Sequence, residues 1–207
     1  MYDLPYFKET DEAAVKQFMR DHPFIFLSAS NADNQPVATQ IPVFIDERDG
    51  KLFLTGHIMK NTDHHKALMQ NPKVLAVFTA PGHTYVSASW YTDKRQGSTW
   101  NYMSVHAKGL LRFMDENGLL EILQRTTDHF EDDPQSGSNF KDLPREYIDS
   151  MAKAIVGIEI EVTSMENVFK LSQNRDEQSY RNIISKLEQG DNGARFIANE
   201  MKKRLKV

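Results

Sequence analysis

The chain has 207 residues, 40% hydrophobic and 26% charged, which is typical of a globular domain of ordinary size. It contains no cysteine, so disulfides, thiolate nucleophiles, iron–sulfur clusters and cysteine zinc sites are excluded. The formal net charge of −4 disfavours nucleic acid as the main partner, because binding to phosphates requires a basic face.

Membrane and export signals are missing from the sequence pattern. No apolar run approaches the roughly 18 residues that a spanning helix needs. The first five residues lack the basic region and apolar core of a signal peptide. We therefore expect a soluble, cytoplasmic protein without membrane association.

Turn residues divide the first half of the chain into short strands. Asp11 offers a helix N-cap, and the helix that follows has to end before Pro23. Asp49-Gly50 favours the positive φ angles of a type I′ hairpin. The predicted strands are residues 24–30, 37–45, 51–56, 74–79, 84–90 and 100–113. With one helix before Pro72 and short connections elsewhere, these strands predict a closed or nearly closed antiparallel barrel.

The second half is mostly helical. Helices are predicted at 116–131, after Pro144, at 181–187 and at 194–205, with a strand at 155–162 paired to one at 168–171. The fold class is therefore α+β, mainly β: a six-stranded antiparallel β-barrel with flanking helices and a C-terminal strand–helix appendage. We expect a single domain over 1–207, with the core barrel at about 22–114 and an extension at about 115–207.

A dense basic cluster lies at the C-terminus, at Lys202, Lys203, Arg204 and Lys206. The helix dipole favours cations at this end of a helix. We interpret the cluster as a solvated helix end, and a DNA-contacting tail is the less favoured alternative.

Residues 55–62 run from a strand end into a helix and contain Gly56 and Lys60. Backbone N–H groups at a helix start, together with a Lys, suit a phosphate. A helix cap with a solvent-facing Lys explains the same residues equally well. Adjacent histidines on a helix point about 100° apart, so we interpret His57, His64 and His65 as surface residues and predict no metal site.

Two other segments carry side chains that a core strand does not need. Trp90 and Trp100 flank a loop and would suit the wall of a planar ligand, or equally a dimer interface. Residues 169–175 form a donor-rich set suited to an anion or a carbonyl-rich ring, with a helix cap as the alternative. No nucleophile elbow and no acid–base pair emerges, so catalytic residues are unknown.

Taken together, these motifs resemble the PaiB family of FMN-binding negative transcriptional regulators. The resemblance runs through Gly56-His57 with Lys60, Ser89-Trp90-Tyr91, Thr99-Trp100-Asn101-Tyr102, residues 153–160 and residues 169–175. That family belongs to the FMN-binding split-barrel group, alongside pyridoxamine-phosphate-oxidase-like flavoproteins. The resemblance implies a split barrel, FMN as cofactor, and a homodimer with two flavin sites between its subunits.

The resemblance also implies roles for individual residues. Lys60 would bind the phosphate, residues 39–41 and 55–57 would lie along the flavin ring and ribityl chain, and Trp100 and Asn101 would approach from the partner subunit. The implied cofactor-binding residues are Thr39, Gln40, Ile41, Thr55, Gly56, His57, Lys60, Asn61, Trp90, Trp100 and Asn101.

The leading functional prediction is a regulatory flavoprotein. The alternative is an FMN-dependent oxidoreductase that uses a reduced nicotinamide or a small organic substrate, since the flavin itself carries the redox chemistry. Direct DNA binding is a third hypothesis, which the acidic balance disfavours. Whether the protein is an enzyme is left open.

Overall fold

The computed structural model describes residues 2–131, 133 and 135–205, and within them the predicted mainly antiparallel β fold with flanking helices is confirmed. The helices are Glu12–Asp21 (α1), Asp63–Gln70 (α2), Glu116–Phe130 (α3), Arg145–Ala154 (α4), Glu177–Leu187 (α5) and Asn192–Lys202 (α6). The strands are Phe24–Ser30 (β1), Pro36–Pro42 (β2), Phe44–Arg48 (β3), Lys51–Met59 (β4), Lys73–Thr79 (β5), Thr84–Val86 (β6), Thr99–Phe113 (β7) and Ile155–Lys170 (β8). None of the helices in this described part is long and apolar enough to cross a bilayer.

The chain forms two units. Unit 1 comprises Met1–His22, Phe78–His106 and Glu166–Val207, and unit 2 comprises Pro23–Val77 and Ala107–Met165. Both β7 and β8 therefore contribute residues to each unit. The expectation of a single domain with its core at about 22–114 stays a prediction.

Aspartate and threonine side chains fix where most of the helices begin. Asp11, Asp115, Asp176 and Asp191 each accept a hydrogen bond from a first-turn backbone N–H, at 2.8–2.9 Å. Such caps satisfy donors that a helix start leaves without an intrahelical partner. Each of these helix starts is therefore fixed by a side chain next to it in the sequence.

Most of the sheet lies in unit 2, and its strand order makes it curl. The path of the sheet is β2-β1-β5-β7-β8-β4-β3, with β6 pairing to β7 outside this path. β2 and β3 lie at opposite ends of the path, yet Val43 alone separates them along the chain. Because consecutive Cα atoms are about 3.8 Å apart, the two ends of the sheet have to meet at this corner. Val43 is buried there, and its N–H donates to Pro23 O at 2.9 Å.

The predicted count of six strands is wrong, since the described residues form eight. The expected strand 37–45 is broken at Val43, because Pro42 has no N–H with which to continue a ladder. The expected pair 155–162 and 168–171 is instead one continuous strand, β8, which joins the sheet between β7 and β4. The predicted hairpin is confirmed, with Asp49 at φ 52° and Gly50 at φ 73° between β3 and β4.

Charged side chains on β3, β7 and β8 are tied together in the wall of unit 2. Glu159 is 2% exposed and accepts hydrogen bonds from Arg48 and from Arg112 Nε, the latter at 2.7 Å. Burial alone would raise the pKa of Glu159, but the two guanidinium groups outweigh it and hold that pKa below its ordinary value. Arg125 of α3 donates two hydrogen bonds of 2.8 Å to Asp46, which fastens α3 to β3.

Unit 1 has its own core, built where the helices of both chain ends meet strand residues. The ring centroids of Phe18 on α1 and Phe169 on β8 are 5.0 Å apart. Tyr180 of α5 donates its hydroxyl to Met201 O of α6 at 3.0 Å, and burial raises the pKa of Tyr180 to about 12. This helical hairpin is therefore an integral part of the unit.

Gly56 is required by the corner where β2 passes β4. A Cβ at Gly56 would lie 2.8 Å from Pro42 O, which is backbone and cannot swing away. We expect Gly56→Ala to lower the free energy of unfolding by about 1–3 kcal/mol, the usual cost of overpacking. Urea unfolding monitored by circular dichroism measures it.

Gly97→Ala is the matched control, because a Cβ there meets nothing within 4 Å. We expect it to change stability by less than about 0.5 kcal/mol. If the two variants unfold at the same urea concentration, the close approach at Gly56 does not constrain the fold.

Candidate functional site

The predicted cofactor residues fall in both units. Thr39, Gln40, Ile41, Thr55, Gly56, His57, Lys60 and Asn61 belong to unit 2, whereas Trp90, Trp100 and Asn101 belong to unit 1.

The β2 segment offers backbone groups more than side chains. Ile41 is buried, 6% exposed, in the barrel, whereas Gln40 on the opposite face is exposed beside Phe26 of β1. β2 ends the path of the sheet, so its ladder runs to β1 alone. The N–H and C=O groups along the other side of an edge strand are open to a ligand.

The end of β4 places one half-buried histidine next to this segment, because β2 and β4 meet at Pro42 and Gly56. Thr55 is buried, and its hydroxyl donates to Asp46 at 3.2 Å. Burial lowers the pKa of His57 below its ordinary value of 6.5. The imidazole is therefore neutral at pH 7, with one nitrogen able to donate and the other able to accept.

Lys60 is a helix cap, although for a different helix from the one that the sequence suggested. Its backbone N–H donates to Ala154 O at 2.9 Å and its Nζ donates to Ala152 O at 3.3 Å. Both carbonyls belong to the last turn of α4, where the negative pole of the helix favours a cation. The ammonium has three N–H donors and uses one of them in this contact.

The start of α2 is capped by its own side chains. Thr62 Oγ1 accepts from His65 N at 3.3 Å, Asp63 Oδ1 accepts from His64 N at 2.7 Å, and Asn61 N donates to His65 Nδ1 at 3.1 Å. Asn61 adopts a positive φ of 64° to make this turn. An anion at this helix start would compete with these contacts, so Lys60 is the stronger part of the predicted phosphate site.

A cavity of about 540 Å³ surrounds Lys60 and brings two further cations into it, Arg145 and Lys153 of α4. Asp115, Glu116 and Asp149 line the same cavity, and Asp149 accepts from Arg145 Nε at 2.9 Å. Neither Arg145 nor Lys153 was predicted from the sequence as a site residue, because both lie far along the chain from Lys60. Lys153 begins one of the family motifs, but that motif assigned it no role in the site. Only the return of β8 beside β4 brings α4 to this place.

In unit 1, Trp100 and Asn101 have opposite environments, as alternation along β7 requires. Trp100 is 52% exposed, and its ring centroid lies 5.8 Å from that of Tyr85 on β6. Asn101 is fully buried, accepting from Ser172 Oγ at 3.0 Å and donating to Met201 Sδ at 3.5 Å. The side chain of Asn101 is thus committed inside unit 1.

The donor-rich residues 169–175 anchor the loop that precedes β7. Lys170 Nζ donates to Thr99 Oγ1 and, at 3.0 Å, to Trp100 O. Arg175 donates to Gln96 and lies over the ring of Tyr91, with its guanidinium carbon 4.2 Å from the ring centroid. Trp90 is half-buried next to this loop, and its carbonyl accepts from Asn182 at 3.1 Å. The donors of this segment are therefore used largely within the chain.

Comparison with known proteins gives curated relatives that span the chain almost completely. "Protease synthase and sporulation protein PAI 2" of Bacillus subtilis is 30% identical over 207 residues, covering 100% of this chain and 99% of the relative. The resemblance to the PaiB family is confirmed by this match.

Solved structures share the fold. "Structure of the FAD and Heme binding protein from Mycobacterium smegmatis" matches with a TM-score of 0.57 at 16% identity, covering 79% of this chain and 73% of that one. The "Flavocytochrome Anf3 from Azotobacter vinelandii" matches with a TM-score of 0.57 at 15% identity, covering 87% and 78%. The predicted split-barrel fold is thereby confirmed in its coarse features.

A family model described as "Putative FMN-binding domain" matches residues 1–164, which include every predicted cofactor residue, strands β1 to β7 and the first part of β8. Residues 165–207, with α5 and α6, lie beyond it. By this match and by its relative, the chain belongs to the FMN-binding family of PAI 2-like proteins, and FMN is its cofactor.

Proposed function

We propose that this protein is a regulatory flavoprotein that works as a homodimer and holds FMN at the end of β4, beside the open edge of β2. The observation that carries the proposal is that His57 and Lys60 lie close together at the end of β4. His57 is a neutral, half-buried imidazole, and the Lys60 ammonium uses only one of its three donors in its contact with α4.

The donor set of unit 2 fits a flavin nucleotide. A flavin ring has a polar edge, which the open backbone groups of residues 39–41 can meet, and the phosphate needs a cation such as Lys60. Thr55, Gly56 and His57 would lie along the ring and ribityl chain, with the side chain of Ile41 excluded because it packs in the barrel. We leave the side chain of Asn101 out of the set, since both of its polar groups have partners in unit 1.

When bound, FMN supplies hydride or electron transfer. The chain's own contribution is to bind and orient the cofactor. A neutral His57 accepts or donates a hydrogen bond without adding charge, and the partner subunit's Trp100 would supply flat apolar area that excludes water.

The outer face of β1 supports the homodimer. Phe24 and Phe26 are 58% and 47% exposed, and Phe26 lies opposite Gln40 of β2 and Val77 of β5. Large apolar side chains exposed side by side on a sheet are typical of a contact surface. A second copy of this chain would cover them and would bring its aromatic residues to the flavin.

A regulatory role rests on the curated relative, whose name refers to protease synthesis and sporulation. Direct DNA contact has less support. In the C-terminal basic cluster, Lys203 pairs with Glu200 at 2.5 Å, Arg204 with Glu9 at 3.4 Å, and Lys202 with Glu188. Lys206 lies outside the described residues. We therefore favour a regulatory role that depends on the flavin over one in which the C-terminal basic cluster binds DNA.

A flavin-dependent oxidoreductase is the second candidate. It is favoured by the fold shared with the flavocytochrome and with the FAD- and haem-binding protein. Oxidation of reduced nicotinamide by the FMN-loaded protein, followed at 340 nm, would support it. Absence of activity with common electron donors would argue against it and in favour of the regulatory proposal.

FMN binding through Lys60 is tested with Lys60→Met, which keeps the apolar stem and removes the charge. We expect wild-type protein to retain flavin absorbance through dialysis and Lys60→Met to bind FMN about tenfold more weakly or worse, a loss of about 1.4 kcal/mol or more. Titration of apo-protein into FMN, followed by fluorescence quenching, measures the affinity.

Lys66→Met is the matched control, because Lys66 is an exposed lysine on the neighbouring helix α2. Melting temperatures of both variants separate a lost phosphate contact from a loosened cap on α4. We expect Lys66→Met to bind FMN as tightly as wild type does, and Lys60→Met to bind it more weakly. Unchanged affinity in Lys60→Met would remove Lys60 from the site.

The dimer is tested with Phe26→Asp, which puts a charge into the proposed interface. We expect the dimer dissociation constant to rise about tenfold or more, because the carboxylate would lose its hydration on association. Sedimentation equilibrium measures it. Phe130→Asp is the control, since Phe130 is 58% exposed on α3; equal dimerisation of both variants would argue against this face.

A further inference from the structure

A second cavity, of about 560 Å³, lies within unit 1 and is lined by none of the predicted cofactor residues. Its size is that of a small-molecule site. Residues of α1, β7, β8 and α6 line it, so it is built from both ends of the chain.

One wall of this cavity is aromatic. The ring of Phe18 lies 4.6 Å from that of His22 and 5.0 Å from that of Phe169, and the ring of Phe196 lies 5.9 Å from His22. These are the spacings of edge-to-face and tilted ring contacts. A further ring entering the cavity would extend the same cluster.

The rim of the cavity is charged. Glu200 pairs with Lys203 at 2.5 Å, and Arg204 lies 3.4 Å from both Glu9 and Glu200. Asp21 differs from the other two carboxylates, because it accepts a hydrogen bond of 2.8 Å from the neutral amide of Gln17. Its charge is thus not balanced by that partner.

His22 adds no positive charge at neutral pH. Burial lowers its pKa below 6.5 and outweighs the opposite effect of the nearby carboxylates of Asp21 and Glu200. The lining therefore holds three carboxylates against two cations, Lys203 and Arg204. This balance favours a cationic ligand.

We propose that this cavity binds a small aromatic amine, with its ring against Phe18, His22 and Phe196 and its ammonium at Asp21. Aromatic faces attract both a ring and a nearby cation. An aromatic carboxylate would instead meet three like charges, while both cations, Lys203 and Arg204, are already paired with Glu9 and Glu200. An aliphatic amine would leave the ring wall without an aromatic partner. The aromatic wall and the acidic rim together favour an aromatic amine over an aromatic carboxylate or an aliphatic amine.

The probe is 2-phenylethylamine, titrated into the full-length, FMN-treated protein by isothermal calorimetry. Two matched compounds separate the contributions: 3-phenylpropanoate replaces the ammonium by a carboxylate, and 2-cyclohexylethylamine replaces the aromatic ring. We expect saturable binding of 2-phenylethylamine, at least tenfold weaker binding of the cyclohexyl compound and no binding of the carboxylate.

Two variants test the assigned residues. Asp21→Asn removes the charge at an exposed position without changing the shape, and Phe196→Leu removes a ring while keeping an apolar side chain. Each should weaken 2-phenylethylamine binding tenfold or more with flavin absorbance unchanged, and the exposed Asp33→Asn in unit 2 should leave it unchanged.

The outcomes are separable from those for the flavin. A folded protein that binds no 2-phenylethylamine up to millimolar concentration, or binds 3-phenylpropanoate as well, overturns the proposal. So does unchanged affinity in Asp21→Asn, whose exposed position protects it from misfolding. None of these results depends on whether FMN binds, because flavin absorbance is recorded separately for each sample.

Discussion

The corner at Pro42, Val43 and Gly56 is the constraint on which the barrel depends. Two strands at opposite ends of the sheet are consecutive in the chain, so the sheet can form only if its ends meet there. Pro42 interrupts the ladder and Gly56 removes the Cβ that would strike Pro42 O at 2.8 Å. The same approach sets the end of β4, with His57 and Lys60, beside the edge of β2. Architecture and candidate cofactor site therefore share one local cause.

Charge pairs, one of them with a buried carboxylate, stiffen the wall around that site. Glu159 is buried and accepts hydrogen bonds from the more exposed Arg48 and Arg112, and Asp46 is paired with Arg125 at a partly exposed position. A buried ion pair is weak support for net stability, yet removal of one partner leaves a charge without compensation and is costly. These pairs thus act mainly to specify one arrangement of β3, β8 and α3, which a cofactor site benefits from because binding groups must be held in place.

The segment 169–175 shows how one motif can serve a ligand indirectly. Its donors reach Trp100 O, Gln96 and Asn101 within unit 1, where they fix the loop before β7 and the exposed Trp100. Lys170 is 9% exposed, and burial, with Arg175 nearby, lowers its pKa. Such a buried cation is tolerated because it donates hydrogen bonds to Thr99 and Trp100 O. Through Lys170, this motif helps to fix the position of Trp100 on β7.

The sequence by itself determined several local features: the helix start at Asp11, the Asp49-Gly50 hairpin, the β character of the first half, and, through its motifs, the family and the cofactor. These depend on neighbouring residues or on motifs preserved in order. The predicted starts of the last two helices, at 181 and 194, were wrong, because the caps Asp176 and Asp191 begin them at Glu177 and Asn192. Tertiary structure alone decided that β8 is one strand within the sheet, that Asn101 faces the core, that Lys60 caps α4, and that Arg145 and Lys153 share its cavity. Each of these joins residues that are distant in the sequence, 47 positions apart for Arg112 and Glu159 and 92 for Lys60 and Ala152. Strand alternation does not reveal which distant element lies opposite.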